Sequence, residues 1–265
     1  MSYQNSFKNF FILFFSLFFM SRISAGNYDL NIWLKGGYDS GIITTFYGGP
    51  GSGKTNLCII VAVSEAKKGN KVIFIDTEGG FSTERVKQLF LSKLDGDISM
   101  NLTLEQVLAN ILVLKPTNFK EQKQHFDQLL KYVKEQVSLI IVDGMTMLYR
   151  LDFADARGND KDIRKDDGIM NMQLVNNSLT KQMSILVEIA RKKDIPVIVT
   201  NQIYNWNNEQ RMVAGDIVKY WSKCLIELVN ENGRRTAYLR KHRSIAEASL
   251  SFQIHDGGIR KKGWL

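Results

Sequence analysis

Gly48-Gly49-Pro50-Gly51-Ser52-Gly53-Lys54-Thr55 decides the fold, because it fills the whole pattern G-x-x-x-x-G-K-[ST]. It lies between an apolar, β-branched run, Ile42 to Tyr47, and a helical pattern from Thr55 to Lys68. Strand, loop and helix therefore occur in the order that a triphosphate cradle needs. Glycines let the backbone wrap an anion, and the N–H groups of the loop and of the helix's first turn then point at the phosphate, where the helix dipole also favours negative charge. Lys54 is expected to bridge the β- and γ-phosphates of ATP and Thr55 to set its hydroxyl on Mg²⁺. The competing reading is a glycine-rich turn that happens to carry a lysine.

Outward from this loop, apolar runs rich in Ile and Val recur at Ile42 to Tyr47, Val72 to Ile75, Ile111 to Leu114, Leu139 to Val142 and Pro196 to Thr200. Amphipathic stretches separate them: Thr55 to Lys68, Thr83 to Leu94, Asn118 to Glu135 and Gly168 to Lys193. This alternation predicts an α/β fold with a mostly parallel sheet covered by helices. Near the end, Cys224 to Val229 and Thr236 to Lys241 flank Asn232-Gly233, a strong hairpin signal, and a last strand from Leu250 to His255 is expected to end at Gly257-Gly258. The C-terminal strands are thus antiparallel. No internal repeat or low-complexity linker divides the chain, so residues 20–265 read as one ATPase domain.

The 265 residues suffice for one large α/β domain, and an apolar content of 44% with 23% charged residues is ordinary for a globular chain. A net charge of +8 favours a polyanionic partner. Cys58 and Cys224 sit in apolar surroundings, which reads as buried thiols in a reducing, cytoplasmic compartment. His125, His242 and His255 are scattered, and neither a zinc site nor a histidine triad has the spacing it needs. Phe10 to Met20 resembles the apolar core of a signal peptide and is too short to span a bilayer. Export conflicts with a nucleotide site. Residues 1–19 are therefore read as an extension from a mis-set start, with Met20 as the true first residue; a targeting or membrane-association segment is the alternative.

In an open α/β sheet, ligand-binding groups gather at the carboxyl ends of strands. Leu139-Ile140-Ile141-Val142-Asp143 is four apolar residues and then a carboxylate, which suits Asp143 to support Mg²⁺. Phe74-Ile75-Asp76-Thr77-Glu78 ends with two carboxylates, and Glu78 is the candidate base for an attacking water, on a strand expected to neighbour the phosphate-loop strand. Alternatively, Asp76 and Glu78 cap the next helix. Val199-Thr200-Asn201-Gln202 ends with an uncharged amide, suited to feel the γ-phosphate and convert nucleotide state into loop position.

Ile75-Asp76-Thr77-Glu78-Gly79, the Asp143 strand, Thr200-Asn201-Gln202 and Lys241-His242-Arg243-Ser244 together resemble the RecA/RadA recombinase superfamily, most nearly its short archaeal paralogues of the RadB type. The likeness runs from about Met20 to the C-terminus, and Arg22-Ile23-Ser24, Leu30 and Gly36-Gly37 are similar to how those short proteins begin. The resemblance implies a RecA-type core, Glu78 as catalytic glutamate and Gln202 as switch amide beside Lys54. It further implies ATP and DNA binding, weak ATPase activity and an accessory role in homologous recombination and DNA repair. Implied partners are DNA, single-stranded or junction, a larger recombinase or a nuclease, and further copies of the chain, with no membrane. The helix-hairpin-helix domain of the larger recombinases is not expected, and Phe153-Ala154-Asp155-Ala156 matches their polymerisation motif only by chance, being downstream of the Asp143 strand. The rival functions are a clock-type or signalling ATPase of the same fold, and an ATP-regulated module that binds proteins.

The residues argue less firmly for DNA. Arg150 to Asp167 reads as a flexible loop in which Arg150, Arg157, Lys161, Arg164 and Lys165 are outnumbered by six aspartates, so it forms no cationic funnel. A second loop, Ile203 to Gly215, offers Tyr204, Trp206 and Arg211 as a stacking platform for bases, or else an aromatic turn packed on its own domain. Basic residues concentrate after Glu231, with Arg234 and Arg235 the candidates for phosphate-backbone contact. Lys241 and Arg243 are expected to alternate along a strand and face one side, either reaching a neighbouring subunit's γ-phosphate in trans or discouraging pairing at a sheet edge.

Overall fold

The computed structural model describes residues 21–92, 102–133, 136–156, 165–206 and 209–262, with the side chains of residues 165–168 and 206 outside that description. The expected extension 1–19 and Met20 also lie outside it. Along the chain run β1 (Arg22–Ile23), α1 (Tyr28–Trp33), β2 (Tyr38–Asp39), β3 (Ile43–Gly48), α2 (Lys54–Lys67), β4 (Lys71–Asp76), α3 (Thr83–Leu91), α4 (Leu104–Ala109) and β5 (Ile111–Leu114). Then come α5 (Phe119–Tyr132), β6 (Val137–Asp143), α6 (Met147–Ala156), α7 (Lys165–Lys193), β7 (Val197–Trp206), β8 (Glu209–Met212), α8 (Gly215–Trp221), β9 (Cys224–Glu231), β10 (Arg234–Lys241), β11 (Ala248–His255) and β12 (Gly258–Lys261).

One large sheet carries the order β12-β11-β10-β9-β3-β7-β6-β4-β5, with β8 pairing the end of β7. From β9 through β5 the neighbours are parallel, and β9 to β12 form an antiparallel meander. Period-two alternation divides the core. Val72 and Phe74 of β4 face one apolar layer with α2, α3 and α4, while Ile73 and Ile75 face a second layer with α5, α6, α7 and α8. Because α2 crosses over the sheet with neighbours on nearly all sides, Leu57 through Val63 are all buried. Asn232 and Gly233 take φ of 52° and 84°, the left-handed pair of a tight hairpin turn, as Asn-Gly predicts.

Several expectations are corrected. The Glu78 strand does not neighbour the phosphate-loop strand: β3 lies between β7 and β9, and the α2 crossover spans β7 and β6 before β4. Ile203 to Gly215 is not a loop, because β7 runs on to Trp206 and pairs antiparallel with β8, Tyr204 opposite Arg211. Local pairing there overrides a poor strand propensity in an asparagine-rich stretch. Arg150 to Ala156 is the end of helix α6, and residues 157–164 lie outside the described residues. Phe153 of the chance motif stacks on Tyr149 within that helix, ring centroids 5.5 Å apart. Gly258 does not end the last strand but opens β12, one turn after β11. Arg243 lies beyond the end of β10, so it does not alternate with Lys241 along a strand, and β10 is no edge because it pairs with both β9 and β11.

Candidate phosphate and metal site

The phosphate loop joins β3 to α2 at the carboxyl end of the parallel strands. Gly51 and Gly53 take φ of 69° and 105°, conformations that favour glycine, and Gly53 is the N-cap of α2 with no side-chain cap. The first-turn N–H groups of a buried helix are thus left for a ligand. Ser52 Oγ is buried without a hydrogen-bond partner. Lys54 is buried, and its ammonium donates to Gly48 O and Gly49 O, both at 2.9 Å. Burial pushes its pKa down, which Glu78 and Asp143 partly offset.

Across the loop, Thr55 Oγ1 donates to Asp143 Oδ2 at 2.7 Å, and Thr200 Oγ1 donates to Asp143 Oδ1 at 2.7 Å. Asp143 is buried at the end of β6. Burial raises its pKa, the two hydroxyls lower it, and the nearby Glu78 and Asp76 raise it further. Gly144 N donates to Thr200 Oγ1, so Thr200 ties two strand ends together. The spacing of the sequence offers no signal for that role beyond the strand end itself.

Asp76 organises the next loop rather than capping a helix. Its carboxylate accepts from Glu78 N, Gly80 N and Phe81 N, while Ser82 caps α3 by accepting from Arg85 N. The loop is pinned to β6 by Thr77 Oγ1, which donates to Gly144 O at 2.7 Å. Gly144, at φ 87°, cannot carry a side chain there, because a Cβ would lie 2.3 Å from Thr77 Oγ1. Gly80 stands over both Thr55 and Asp143, where a Cβ would lie 3.0 Å and 3.4 Å from their side chains. Gln202 Nε2 donates to both Glu78 oxygens at 3.1 Å. Since Gln202 is the register partner of Gly48, the amide stands beside the phosphate loop. Lys54, Thr55, Asp143, Glu78 and Gln202 therefore converge, though their strands are not all neighbours.

These residues fit a nucleotide with its magnesium. An uncapped helix start, an orphaned Ser52 hydroxyl and a buried ammonium that donates to loop carbonyls suit a polyphosphate. Thr55 and Asp143 supply hard oxygen donors of the kind Mg²⁺ takes together with water and phosphate oxygens. Among the described residues no group of three or more His, Cys, Asp or Glu side chains could hold a metal ion alone.

A family model described as Rad51 matches residues 19–262. The chain belongs to the Rad51 family. It is 34% identical over 244 residues to the DNA repair and recombination protein RadB of Methanobrevibacter smithii, covering 88% of this chain and 93% of that one. The RadB of Methanocaldococcus jannaschii is 37% identical over 226 residues, 85% of this chain and 96% of its own. A crystal structure of the RadB recombinase superposes with a TM-score of 0.68 at 30% identity, covering 89% of this chain and 97% of that one. The RecA-type core expected from the motifs is the fold observed.

Within this Rad51-family core, the other sequence candidates scatter. Arg235 lies against the phosphate loop, its Nε donating to Gly51 O, whereas Arg234 is exposed on the hairpin. Tyr204 and Arg211 border a groove of about 620 Å³ lined also by Tyr149, Phe153 and Lys219, and Arg211 pairs with Glu209 at 2.9 Å. The side chain of Trp206 lies outside the described residues. Lys241 Nζ donates to Ser222 O and Lys219 O at the end of α8, and Arg243 bonds Asp39 and Ser40 O. In the single chain these two answer different partners. Cys58 and Cys224 are free and buried, as expected. Among the described residues no helix is long and apolar enough to cross a membrane.

Proposed function

We propose that the chain is an Mg-ATP-binding, DNA-binding accessory protein of homologous recombination and DNA repair with weak ATPase activity. The observation that carries this reading is the convergence of Lys54, Thr55, Asp143, Glu78 and Gln202 on the uncapped start of α2. Magnesium, when bound, would neutralise charge on the phosphate oxygens. Lys54 and the loop amides hold the phosphates, Thr55 and Asp143 support the metal, and Glu78 takes a proton from water at its carboxylate. Gln202 holds that carboxylate and leads into the β7–β8 hairpin, so an amide that exchanges Glu78 for another acceptor pulls on Tyr204 and Arg211. Membership of the Rad51 family and the similarity to DNA repair and recombination proteins support the repair setting.

Titration of fluorescently labelled single-stranded and junction DNA, with and without ATP at two salt concentrations, tests it. Nucleotide-dependent affinity that falls steeply with salt is expected. DNA affinity that is absent, or indifferent to both ATP and salt, would instead favour a module acting through protein partners or a same-fold signalling ATPase. The commitment of Arg240, Arg243 and Lys241 to intramolecular bonds is the observation on the side of that second reading.

A further inference from the structure

The β9–β10 hairpin runs along the phosphate loop. Leu228 O is so close that a Cβ on Gly48 would lie 2.1 Å from it. Further out, Asn230 Nδ2 donates to Gly51 O at 3.1 Å and Arg235 Nε donates to the same oxygen at 3.3 Å. Asn230 is bifunctional: its Oδ1 accepts from Gly233 N at 3.1 Å, so one side chain fixes both the hairpin turn and the loop. A Cβ on Gly53, the helix N-cap, would touch Ile254, the Arg235 stem and Phe252. The C-terminal meander therefore forms one wall of the loop.

Two donors on one carbonyl fix the Gly51–Ser52 peptide plane, and with it the direction of the Ser52 N–H, which turns back to Gly49 O at 3.4 Å and so closes the loop. They also set the Arg235 side chain against the loop at Gly51 and beside Gly53, the N-cap of α2, so that a guanidinium stands near the positive end of that helix, where a bound anion favours it. We propose that Asn230 and Arg235 are positioning residues of the nucleotide site, holding the phosphate loop in its binding conformation through the Gly51 carbonyl. This inference rests on the reading of that loop as an ATP site. It assigns to Arg235 a role at the nucleotide rather than at DNA.

The test is titration of the full chain with a fluorescent adenine nucleotide and Mg²⁺, for wild type, Asn230→Ala, Arg235→Ala, the double variant and Arg235→Lys. Each single alanine variant is expected to weaken binding about threefold to tenfold, the scale of one hydrogen bond. The double variant should lose more than the product of the two, because either donor alone can still hold the shared acceptor. Arg235→Lys, which keeps a donor and the charge, should restore affinity to within about threefold of wild type. For Arg235→Ala, which leaves the Asn230 turn bond intact, the thermal midpoint without nucleotide should stay close to wild type while the nucleotide-induced rise in midpoint shrinks, a pattern that a merely structural role would not give. Wild-type binding with a double variant within twofold of it would overturn this inference alone. A wild-type chain with no nucleotide affinity would overturn both it and the ATP reading.

Discussion

The two ends of the parallel strands carry similar side chains and use them oppositely. At the amino end, buried Asp39 accepts from Arg22 Nε and Arg243 Nε and stands 3.4 Å from His242 Nε2, while Lys241 answers the last carbonyls of α8. Each of these charges meets a partner in the fold. At the carboxyl end, Ser52 Oγ has no partner, Lys54 turns back on its own loop, and Glu78 is held by a neutral amide. A folded chain leaves such groups half-answered where a ligand completes them. Lys241 and Arg243, two of the basic residues near the C-terminus that would suit a polyanion, serve this closed amino end instead.

The sharpest way to break this comparison is to exchange losses between the ends. Lys54→Ala is expected to lower nucleotide affinity about a hundredfold or more, since it removes a charge-assisted contact to phosphate, with little change in the thermal midpoint of the nucleotide-free protein. Asp39→Ala should do the reverse. Its loss strands Arg22 and Arg243 and is expected to cost about 2–3 kcal/mol, less than a fully buried pair because both arginines keep some exposure. Calorimetric titration and scanning calorimetry read the two effects, and a large affinity loss in Asp39→Ala at a temperature where it is folded would abolish the distinction.

Glu78→Gln separates holding from chemistry within the open end. Turnover should drop about 10²- to 10⁴-fold with nucleotide affinity kept, as measured by phosphate release beside equilibrium binding. Full turnover in that variant would remove Glu78 from the role of base. Asp143→Asn should trade function for stability. Because burial holds the Asp143 pKa above its unfolded value, the native state binds its proton more readily, so stability is present at low pH and lost as pH rises through the folded pKa. At neutral pH the amide is therefore expected to raise the midpoint by about 2–4 °C while magnesium-dependent nucleotide binding weakens.

The smallest effect belongs to the closed end. His242 Nδ1 accepts from Ser244 N and Ile245 N, and burial chiefly, with Arg22 and Arg243, lowers its pKa against the pull of Asp39. Below the ordinary imidazole value of about 6.5 the unfolded chain binds more protons, so stability falls as pH drops through that window. His242→Asn should flatten that decline, a difference of about 1–2 °C in midpoint between pH 7 and pH 5.5.

Much of this molecule was legible residue by residue. The phosphate loop, the five parallel strands β3 to β7, the Asn-Gly hairpin and the residues Lys54, Thr55, Asp143, Glu78 and Gln202 follow from local patterns, because backbone conformation at glycine and period-two burial are written in short stretches of chain, although β5, read as buried, is the sheet edge and buries only Ile111. Strand order was not, and the wrong neighbour for β4 shows why: a crossover helix fixes hand and direction but not how many strands it passes. The same limit hid the fate of the basic residues. Whether Arg235 meets DNA or Gly51 O depends on a contact across 184 positions. Likewise Arg243 reaches Asp39 across 204, and no local spacing encodes either.

What the sequence determined by itself is the chemistry available: a glycine-lined cradle, an ammonium, a hydroxyl and carboxylates at strand ends. Only the tertiary structure decided which charges are spent inside the fold and which are left to a ligand. Coulomb and hydrogen-bond partners are set by distance in space, and packing the sheet, rather than order along the chain, fixes those distances.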